Sequence, residues 1–261
     1  MMWRLVPLEG AVNLRDFGGY TTADGRTVRR GRLFRSGTLA HLTAEAQRQF
    51  VELGVRLICD LRRPEEQAEE PTPFPPDVLR RLEIPIDPGS AISLRSQLSA
   101  ADLALKERID FMVAINRELA RDHAGDYARM FEALLELEEG GFLVHCAAGK
   151  DRTGFACALI LHALGVPEDT VLEDYLLTNQ HLDIEGRALR LAARYEPNAM
   201  PDRESVLALA GVRPEYLRAA FEAIESEFEG VEHYIERAVG LDAAARELLR
   251  SRLLEEGGTW E

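Results

Sequence analysis

The most informative part of this 261-residue chain is the stretch VHCAAGKDRTG, residues 144–154. The apolar residues 141–146 have the length and composition of a buried strand, and the apolar residues 155–166 indicate a helix. A loop that runs from a strand into a helix presents unpaired backbone N–H groups, and these attract anions. The stretch therefore predicts an anion-binding loop between a strand and a helix.

The residue types in this loop suit nucleophilic chemistry on a phosphate. Cys146 opens the loop and Arg152 closes it, so the backbone can circle a phosphate while the guanidinium grips two of its oxygens. The helix N-terminus and the nearby cations favour the thiolate form, which makes Cys146 the predicted nucleophile. Gly149 can adopt a positive φ, and Thr153 is placed to donate its hydroxyl to the sulfur.

Strand and helix patterns alternate on the N-terminal side of the loop. Residues 26–36 are predicted to be extended after a turn at 23–25, where Asp-Gly suits positive φ. A helix is predicted over 43–53, because Thr43 can cap its start and Gly54 can end it.

Three further segments precede the helical middle of the chain. Residues 55–61 predict a short buried strand, and residues 79–86 predict another. Between them, residues 63–76 are rich in proline and glutamate and predict an exposed connection. Within that connection, the acidic residues 65–70 are expected to be a solvated loop.

This alternation predicts an α/β fold with a central, mostly parallel sheet flanked by helices. The pattern is helical from about 100 to 139 and again from Arg152 onward. We expect one domain over 1–261, with a core at about 10–185 and a helical C-terminal extension at about 186–256.

The composition excludes several classes of protein. Apolar residues make up 46% and charged residues 29%, which excludes wholesale disorder. The 31 Lys+Arg and 45 Asp+Glu give a net charge of −14, which argues against nucleic-acid binding. Cys59, Cys146 and Cys157 are too few and too far apart for a disulfide framework or a paired-cysteine zinc site, so we expect free thiols.

Targeting and membrane signals are not visible in the sequence. The first residues lack a basic patch followed by a long apolar run. The longest apolar stretch, 155–166, is shorter than the roughly 20 residues that a membrane span needs. We therefore expect a soluble, cytoplasmic protein without stable membrane insertion.

In residues 145–154, His145-Cys146 is followed by five residues and then by Arg152-Thr153-Gly154. This pattern resembles the signature loop of cysteine-dependent protein tyrosine phosphatases. The string HCAAGKDRTG is similar to that of a bacterial and fungal branch, some members of which act on both phosphoproteins and phosphoinositides. Three other segments also resemble that branch: 13–20, 59–62 and 174–179. The resemblance spans roughly residues 10–185.

The resemblance implies hydrolysis of phosphomonoesters through a phosphocysteine intermediate, with no metal and no other cofactor. Cys146 would attack phosphorus while Arg152 and the loop N–H groups hold the equatorial oxygens. Lys150 would add positive charge for the transition state or for a neighbouring phosphate, and His145 would orient the loop. The substrate-binding residues would be His145, Ala147, Ala148, Gly149, Lys150, Thr153 and Gly154. The expected substrate is protein phosphotyrosine, with phosphoserine and phosphothreonine or a phosphoinositide as alternatives.

Two aspartates compete for the role of general acid, which must protonate the leaving group. Asp87 follows a predicted strand and resembles the separate acid-bearing loop of many phosphatases. Asp151 lies inside the loop, and the resemblance to the branch implicates it in catalysis. We favour Asp151, although Lys150 and Arg152 beside it favour its ionised form.

Two other function classes stay open: a non-catalytic phospho-binding module, and an arsenate reductase built on a related cysteine loop. Cys157 is predicted to pack in the core. Packing is also the first expectation for Cys59, although in some related phosphatases a cysteine in this region forms a reversible disulfide with the nucleophile. The arginine-rich stretch 26–35 predicts a solvated hairpin face in preference to a substrate-docking patch.

Overall fold

The structure, a computed structural model, describes residues 4–75, 78–98, 103–195 and 203–257. The strands in these ranges are β1 (Arg15–Asp16), β2 (Thr27–Val28), β3 (Leu33–Ser36), β4 (Val55–Asp60), β5 (Arg80–Glu83), β6 (Gly141–His145) and β7 (Leu254–Glu255). Five of them form a central sheet in the order β1-β3-β6-β4-β5, and β2 pairs with β7 in a second sheet. Strands β3, β6, β4 and β5 are parallel and the edge strand β1 is antiparallel, so the predicted mostly parallel sheet is confirmed.

Helices cover both faces of the central sheet. The helices of the described ranges are α1 (Ala44–Glu52), α2 (Pro64–Glu69), α3 (Gly89–Leu98), α4 (Leu105–Arg121), α5 (Ala124–Glu136), α6 (Asp151–Leu164), α7 (Glu168–Leu176), α8 (Thr178–His181), α9 (Ile184–Tyr195), α10 (Arg203–Ala210), α11 (Pro214–Phe228), α12 (Val231–Arg237) and α13 (Ala243–Leu253). On β6, Val144 packs into the main core with residues of α4, α5, α6 and α11, whereas Leu143 packs into a smaller core with α1. Adjacent strand residues point to opposite faces, so both faces are buried.

The local signals around α1 and β4 act as the sequence predicts. Thr43 caps α1 by accepting a hydrogen bond from the Ala46 N–H at 3.3 Å. Gly54 follows the helix with φ +74°, a conformation that favours glycine. Strand β4 then lies directly beside β6, which brings the chain that precedes α2 next to the loop after β6.

Helix α6 carries the end of that loop and is buried along almost its whole length. From Phe155 onward its side chains are apolar apart from His162, so tertiary packing rather than one amphipathic face stabilises it. Gly165 ends the helix with a left-handed φ of +88°. The N-terminus of α6 therefore follows the carboxyl end of the central strand β6.

The C-terminal helices pack onto this framework. Helix α11 contacts α4, and its apolar face is formed by the buried Leu217, Phe221 and Ile224 and the partly buried Phe228. The expectation that everything after Arg152 is helical is wrong at β7, which pairs antiparallel with β2. Within the described ranges, the structure contains no helix with the length and apolar character needed to cross a membrane.

Two other predicted elements need correction. Residues 26–36 do not form one strand, because Gly31, with φ +70°, lies in the break between β2 and β3. Residues 63–76 are not simply an exposed connection, since they contain α2. This helix begins with Pro64 in its first turn, and the Glu66 carboxylate accepts a hydrogen bond from the Arg63 N–H at 2.8 Å.

Candidate active site

The loop of residues 146–150 joins the centre of the sheet to the N-terminus of α6. Cys146 opens the loop and is 2% exposed. In the described part of the chain, no group accepts a hydrogen bond from the backbone N–H groups of 147–150. The first N–H groups of α6 add further unpaired donors. The loop thus gathers backbone donors around one buried thiol.

The carbonyl side of the loop is tied to the N-terminal part of the chain. The Thr38 N–H donates to the Ala147 carbonyl at 2.9 Å. Asn13 Nδ2 and Arg35 Nη2 donate to the Gly149 carbonyl at 2.8 and 3.0 Å. Because the C=O and N–H of a planar trans peptide point in opposite directions, these bonds turn the loop N–H groups away from the scaffold.

Gly149 is required where the loop approaches β3. Its φ is +67°, which confirms the predicted positive φ. A Cβ at this position would lie 2.5 Å from the backbone carbonyl of Ser36. Both the left-handed conformation and the close approach therefore exclude a side chain.

A buried ionic network lies behind the loop. Arg35 Nη1 is 2.6 Å from Asp174 Oδ2, and Arg15 Nε is 3.7 Å from Asp174 Oδ1. Tyr20 donates its hydroxyl to the same carboxylate at 3.0 Å. Burial would raise the pKa of Asp174, but Arg15 and Arg35 outweigh it and lower that pKa. The expectation that Arg35 lies on a solvated hairpin face is wrong, because it is fully buried and anchors the loop.

Arg152 is held from one side by protein acceptors. Its Nη1 donates to the carbonyls of Leu61 and Ile86, both at 3.2 Å. Nη1 and Nη2 donate to the two oxygens of the Glu66 carboxylate at 2.8 and 2.9 Å. In the described chain Nε has no acceptor, which leaves the Nε edge of the guanidinium for a bound oxyanion.

Glu66 and Cys146 together set the electrostatics of Arg152. Burial alone would lower the pKa of Arg152, but Cys146 and Glu66 raise it above its usual value. Burial alone would raise the pKa of Glu66. The contact with Arg152 outweighs burial and lowers the pKa of Glu66 to about 2. Both side chains are therefore charged at neutral pH.

Sequence reasoning missed Glu66 because it assigned the acidic stretch 65–70 to a solvated loop. A local signal was present, since Pro64 followed by Glu66 is a helix-start pattern. The contact with Arg152, 86 positions along the chain, left no local signal.

Lys150 is also held by the protein. Its Nζ donates to the Gly211 carbonyl at 2.8 Å and lies 3.3 Å from Asp151 Oδ2. Burial lowers the pKa of Lys150, and Asp151 opposes that shift. The bond to Gly211 links the loop to the segment between α10 and α11. Lys150 also lines a cavity that lies beside the loop.

Thr153 and Gly154 lie in the first turn of α6. The Thr153 hydroxyl does not donate to the sulfur, since its buried Oγ1 has no hydrogen-bond partner among the described residues. The Gly154 N–H is already bonded to the Lys150 carbonyl at 2.7 Å. A Cβ on Gly154 would lie 2.7 Å from the Tyr175 ring, so this glycine permits close packing.

His145 ends β6 beneath the loop and is fully buried. Its Nε2 is 3.5 Å from Asp60 Oδ2, and Asp60 is paired with Arg62 at 2.7 Å. His145 and Arg62 lower the pKa of Asp60 despite its burial. Asp60 and Arg62 therefore form a buried ion pair beside the end of β6.

Both candidate acids line the same cavity of about 190 Å³. Asp151 is the first residue of α6, with a side chain 16% exposed, and its Oδ1 accepts from the Tyr175 hydroxyl at 3.5 Å. Asp87 follows β5 and lies 3.7 Å from Arg63 Nε. The structure thus brings the loop aspartate and the separate aspartate to one place.

The two other cysteines are core residues. Cys157 packs inside α6, and burial raises its pKa to about 12. Cys59 is fully buried on β4, opposite Val144, and burial raises its pKa as well. The packing predicted for both is confirmed.

A mostly parallel sheet with this loop between its central strand and a buried helix defines an α/β enzyme of the phosphatase type. The model of the tyrosine phosphatase family matches residues 6–255. The chain therefore belongs to the tyrosine phosphatase family, and the resemblance seen in its signature loop is confirmed.

Known proteins are similar to the chain over most of its length. A protein of Cupriavidus necator with the provisional name tyrosine-protein phosphatase is 34% identical over 236 residues, 89% of this chain and 83% of that protein. The triple specificity protein phosphatase PtpB of Mycobacterium tuberculosis is 28% identical, over 95% of this chain and 98% of that protein. The crystal structure of P. aeruginosa TpbA matches with a TM-score of 0.34 and 18% identity, over 74% of this chain and 98% of that chain. A structural similarity at that level carries no functional argument.

Proposed function

We propose that this protein phosphatase hydrolyses phosphotyrosine in proteins, and phosphoserine and phosphothreonine with the same loop, through a phosphocysteine intermediate. One observation carries the proposal: in the described chain, neither the backbone N–H groups of the loop that begins at the buried Cys146 nor the Nε of Arg152 has an acceptor. This arrangement places a nucleophile below donors that stabilise the charge on a transferring phosphoryl group.

The reaction proceeds in two displacements. Cys146 Sγ forms a bond to phosphorus as the bond to the substrate oxygen breaks, and a carboxylic acid gives that oxygen a proton. Water then attacks the phosphocysteine, the same carboxylate takes its proton, and the thiolate leaves with release of phosphate. Neither step calls for a metal ion, so we expect EDTA to leave the activity unchanged. Inhibition by EDTA that added metal reverses would contradict this mechanism.

We assign the acid role to Asp151, with Asp87 as the alternative. Asp151 follows the loop directly and lines the cavity beside Arg152. The Tyr175 hydroxyl at 3.5 Å and Lys150 at 3.3 Å orient its carboxyl group. Asp87 lines the same cavity. It follows β5, the edge strand of the central sheet.

The substrate range is supported by the relatives. The name of the mycobacterial relative gives it triple specificity, which supports more than one phosphoamino acid here. A phosphoinositide is the second candidate, because Lys150 and Arg152 both line the cavity. The test is a turnover panel of phosphotyrosine, phosphoserine and phosphothreonine peptides with phosphoinositides. Turnover of the peptides supports the proposal, and binding without any turnover would indicate a phospho-binding module.

We also propose that the described residues act as one phosphatase domain. Helix α11 packs on α4, Lys150 bonds to the segment before α11, and β7 pairs with β2. Limited proteolysis of the full chain should therefore yield no stable core that ends near residue 185. A core of that kind that keeps activity would contradict a single domain.

A further inference from the structure

The cavity beside the loop is lined by four cationic side chains: Arg63, Lys150, Arg152 and Arg187. Three of them have a carboxylate within 4 Å. Arg63 is paired with Asp87, Lys150 with Asp151, and Arg152 with Glu66. The fourth lies on α9 and differs from them. In the described ranges no carboxylate lies within ion-pair distance of Arg187, and its buried Nε has no hydrogen-bond acceptor.

An unpaired guanidinium that is partly removed from water is costly unless an anion joins it. Burial lowers the pKa of Arg187, while Asp151 and Cys146 act in the opposite direction. Arg187 is thus electrostatically close to the nucleophile and to the favoured acid. It lines the same cavity as Lys150, Asp151 and Arg152.

The orientation of Arg187 is not a general property of α9. Leu191, one turn further along, lines the same cavity, as expected for residues four apart on a helix. Arg190 instead lies outside, 69% exposed and 3.7 Å from Asp183. Arg194 pairs with Glu69 at 3.1 Å on the surface. Among these three arginines of α9, Arg187 faces the cavity.

We propose that Arg187 binds a second oxyanion, a phosphate or a carboxylate, on the same substrate molecule whose phosphate occupies the Cys146 loop. This inference rests on the proposed function. The planar guanidinium can donate two parallel hydrogen bonds to either group. Since the chain carries a net charge of −14, such a group has to be captured by a local cation of this kind.

The test uses three small aryl phosphates with Arg187→Gln, Arg187→Lys and the control Arg190→Gln. Phenyl phosphate carries one anionic group, whereas 3-carboxyphenyl phosphate and 1,3-phenylene bisphosphate carry two. We expect Arg187→Gln to raise KM about tenfold or more for the two-group probes, with kcat nearly unchanged, because a charge-assisted bond is lost. The KM for phenyl phosphate should change by less than about threefold, since only long-range attraction is lost.

The variants separate charge from geometry. Arg187→Lys keeps the charge but not the planar fork, so it should give an intermediate KM. Arg190→Gln should match the wild type on all probes. A selective loss on both two-group probes assigns a general oxyanion site, and a loss on the bisphosphate alone restricts the second group to phosphate. Equal changes on all three probes, or no change, would overturn the proposal.

Binding measurements keep this test separate from the proposed function. Calorimetry with phenylphosphonate and 3-carboxyphenylphosphonate requires no turnover. If the wild-type chain hydrolyses no probe, the proposed function fails, while a selective loss of 3-carboxyphenylphosphonate binding in Arg187→Gln still supports the site. Equal thermal unfolding midpoints for the wild type and all variants show that the fold is intact.

Discussion

At the scale of single residues, the proposed mechanism assigns the reactivity to Cys146 and the binding to its neighbours. Cys146→Ser should abolish turnover of p-nitrophenyl phosphate, because a serine hydroxyl is a far weaker nucleophile than a thiolate at neutral pH. The loop N–H groups and Arg152 remain, so calorimetry should show tungstate binding within a few-fold of wild type. Cys59→Ser, the control, should keep its activity. Appreciable turnover by Cys146→Ser would indicate a different nucleophile.

The general acid can be identified by the leaving group. If Asp151 supplies the proton, Asp151→Asn should slow alkyl phosphates by about 100-fold or more and aryl phosphates far less, because a phenolate leaves without much protonation. Steady-state kinetics on matched alkyl and aryl series measure this difference. Asp87→Asn is the matched comparison, and a larger leaving-group dependence in that variant would transfer the role to Asp87.

Glu66 is expected to act through Arg152 as a positioning residue. Glu66→Gln keeps the shape but removes the charge that orients the Arg152 fork, so kcat/KM should fall about tenfold to 100-fold. Glu66→Asp should recover part of this loss. Glu65→Gln is the control, since Glu65 is 70% exposed on the same helix. A change in protein stability without a change in kcat/KM would give Glu66 a purely structural role.

At the scale of elements, what the sequence predicts depends on whether the signal is local. Helix α1 could be predicted because Thr43 and Gly54 act on backbone within one turn of them. Strand β6 and the loop after it could be predicted because an apolar run meets a distinctive motif. Strand β7 could not, since its two residues are extended only through pairing with β2.

The same distinction applies to the site. Cys146 and Arg152 could be predicted as site residues from their spacing, because one loop contains both. Arg35 and Glu66 were misassigned because their partners lie 139 and 86 positions away, at Asp174 and Arg152. Nothing in an arginine-rich or acidic stretch distinguishes the one residue that turns inward from its solvated neighbours.

The pairing of β4 with β6 bears on redox control. Cys59 is opposite Val144, so Cys146 lies two residues further along the same face. Strand spacing and rise place the two Cα atoms about 8 Å apart, and a disulfide needs about 7 Å or less. A small shift at the start of the loop would therefore allow the bond.

Peroxide treatment tests this possibility. We expect mild peroxide to link Cys59 and Cys146 in the wild type, so that dithiothreitol restores its activity. In Cys59→Ser the sulfenic acid of Cys146 has no partner thiol and oxidises further, so that this variant should recover less activity. Mass spectrometry of the oxidised protein identifies the linkage. Equal recovery in both proteins, with no linkage, would make Cys59 a packing residue only.

At the scale of the whole molecule, the buried helix α6 makes stability depend on pH. Burial lowers the pKa of His162 to about 4 from its usual 6.5, so the unfolded chain binds a proton that the folded chain rejects. Above pH 6.5 His162 is neutral in both the folded and the unfolded chain, so it does not reduce the free energy of unfolding. As the pH falls from 6.5 toward 4, only the unfolded chain gains the proton, and the free energy of unfolding decreases. Between pH 7 and 5 the free energy of unfolding should fall by about 2 kcal/mol.

Urea unfolding at the two pH values measures this loss. His162→Leu should remove most of it, and the remainder is expected from His181, whose pKa burial also lowers. The lowered pKa values of Asp174 and Glu66 act mainly below pH 4.5, so they contribute little in this window. An unchanged pH dependence in His162→Leu would show that His162 is not the responsible group.

During synthesis on a ribosome, β2 emerges long before its partner. Arg29, beside β2, donates to the carbonyl of Leu254, 225 positions later. At translation rates of about 5–20 residues per second, that interval is roughly 10 to 45 s. Throughout it β2 lacks its partner strand, so the second sheet can form only after translation has reached β7.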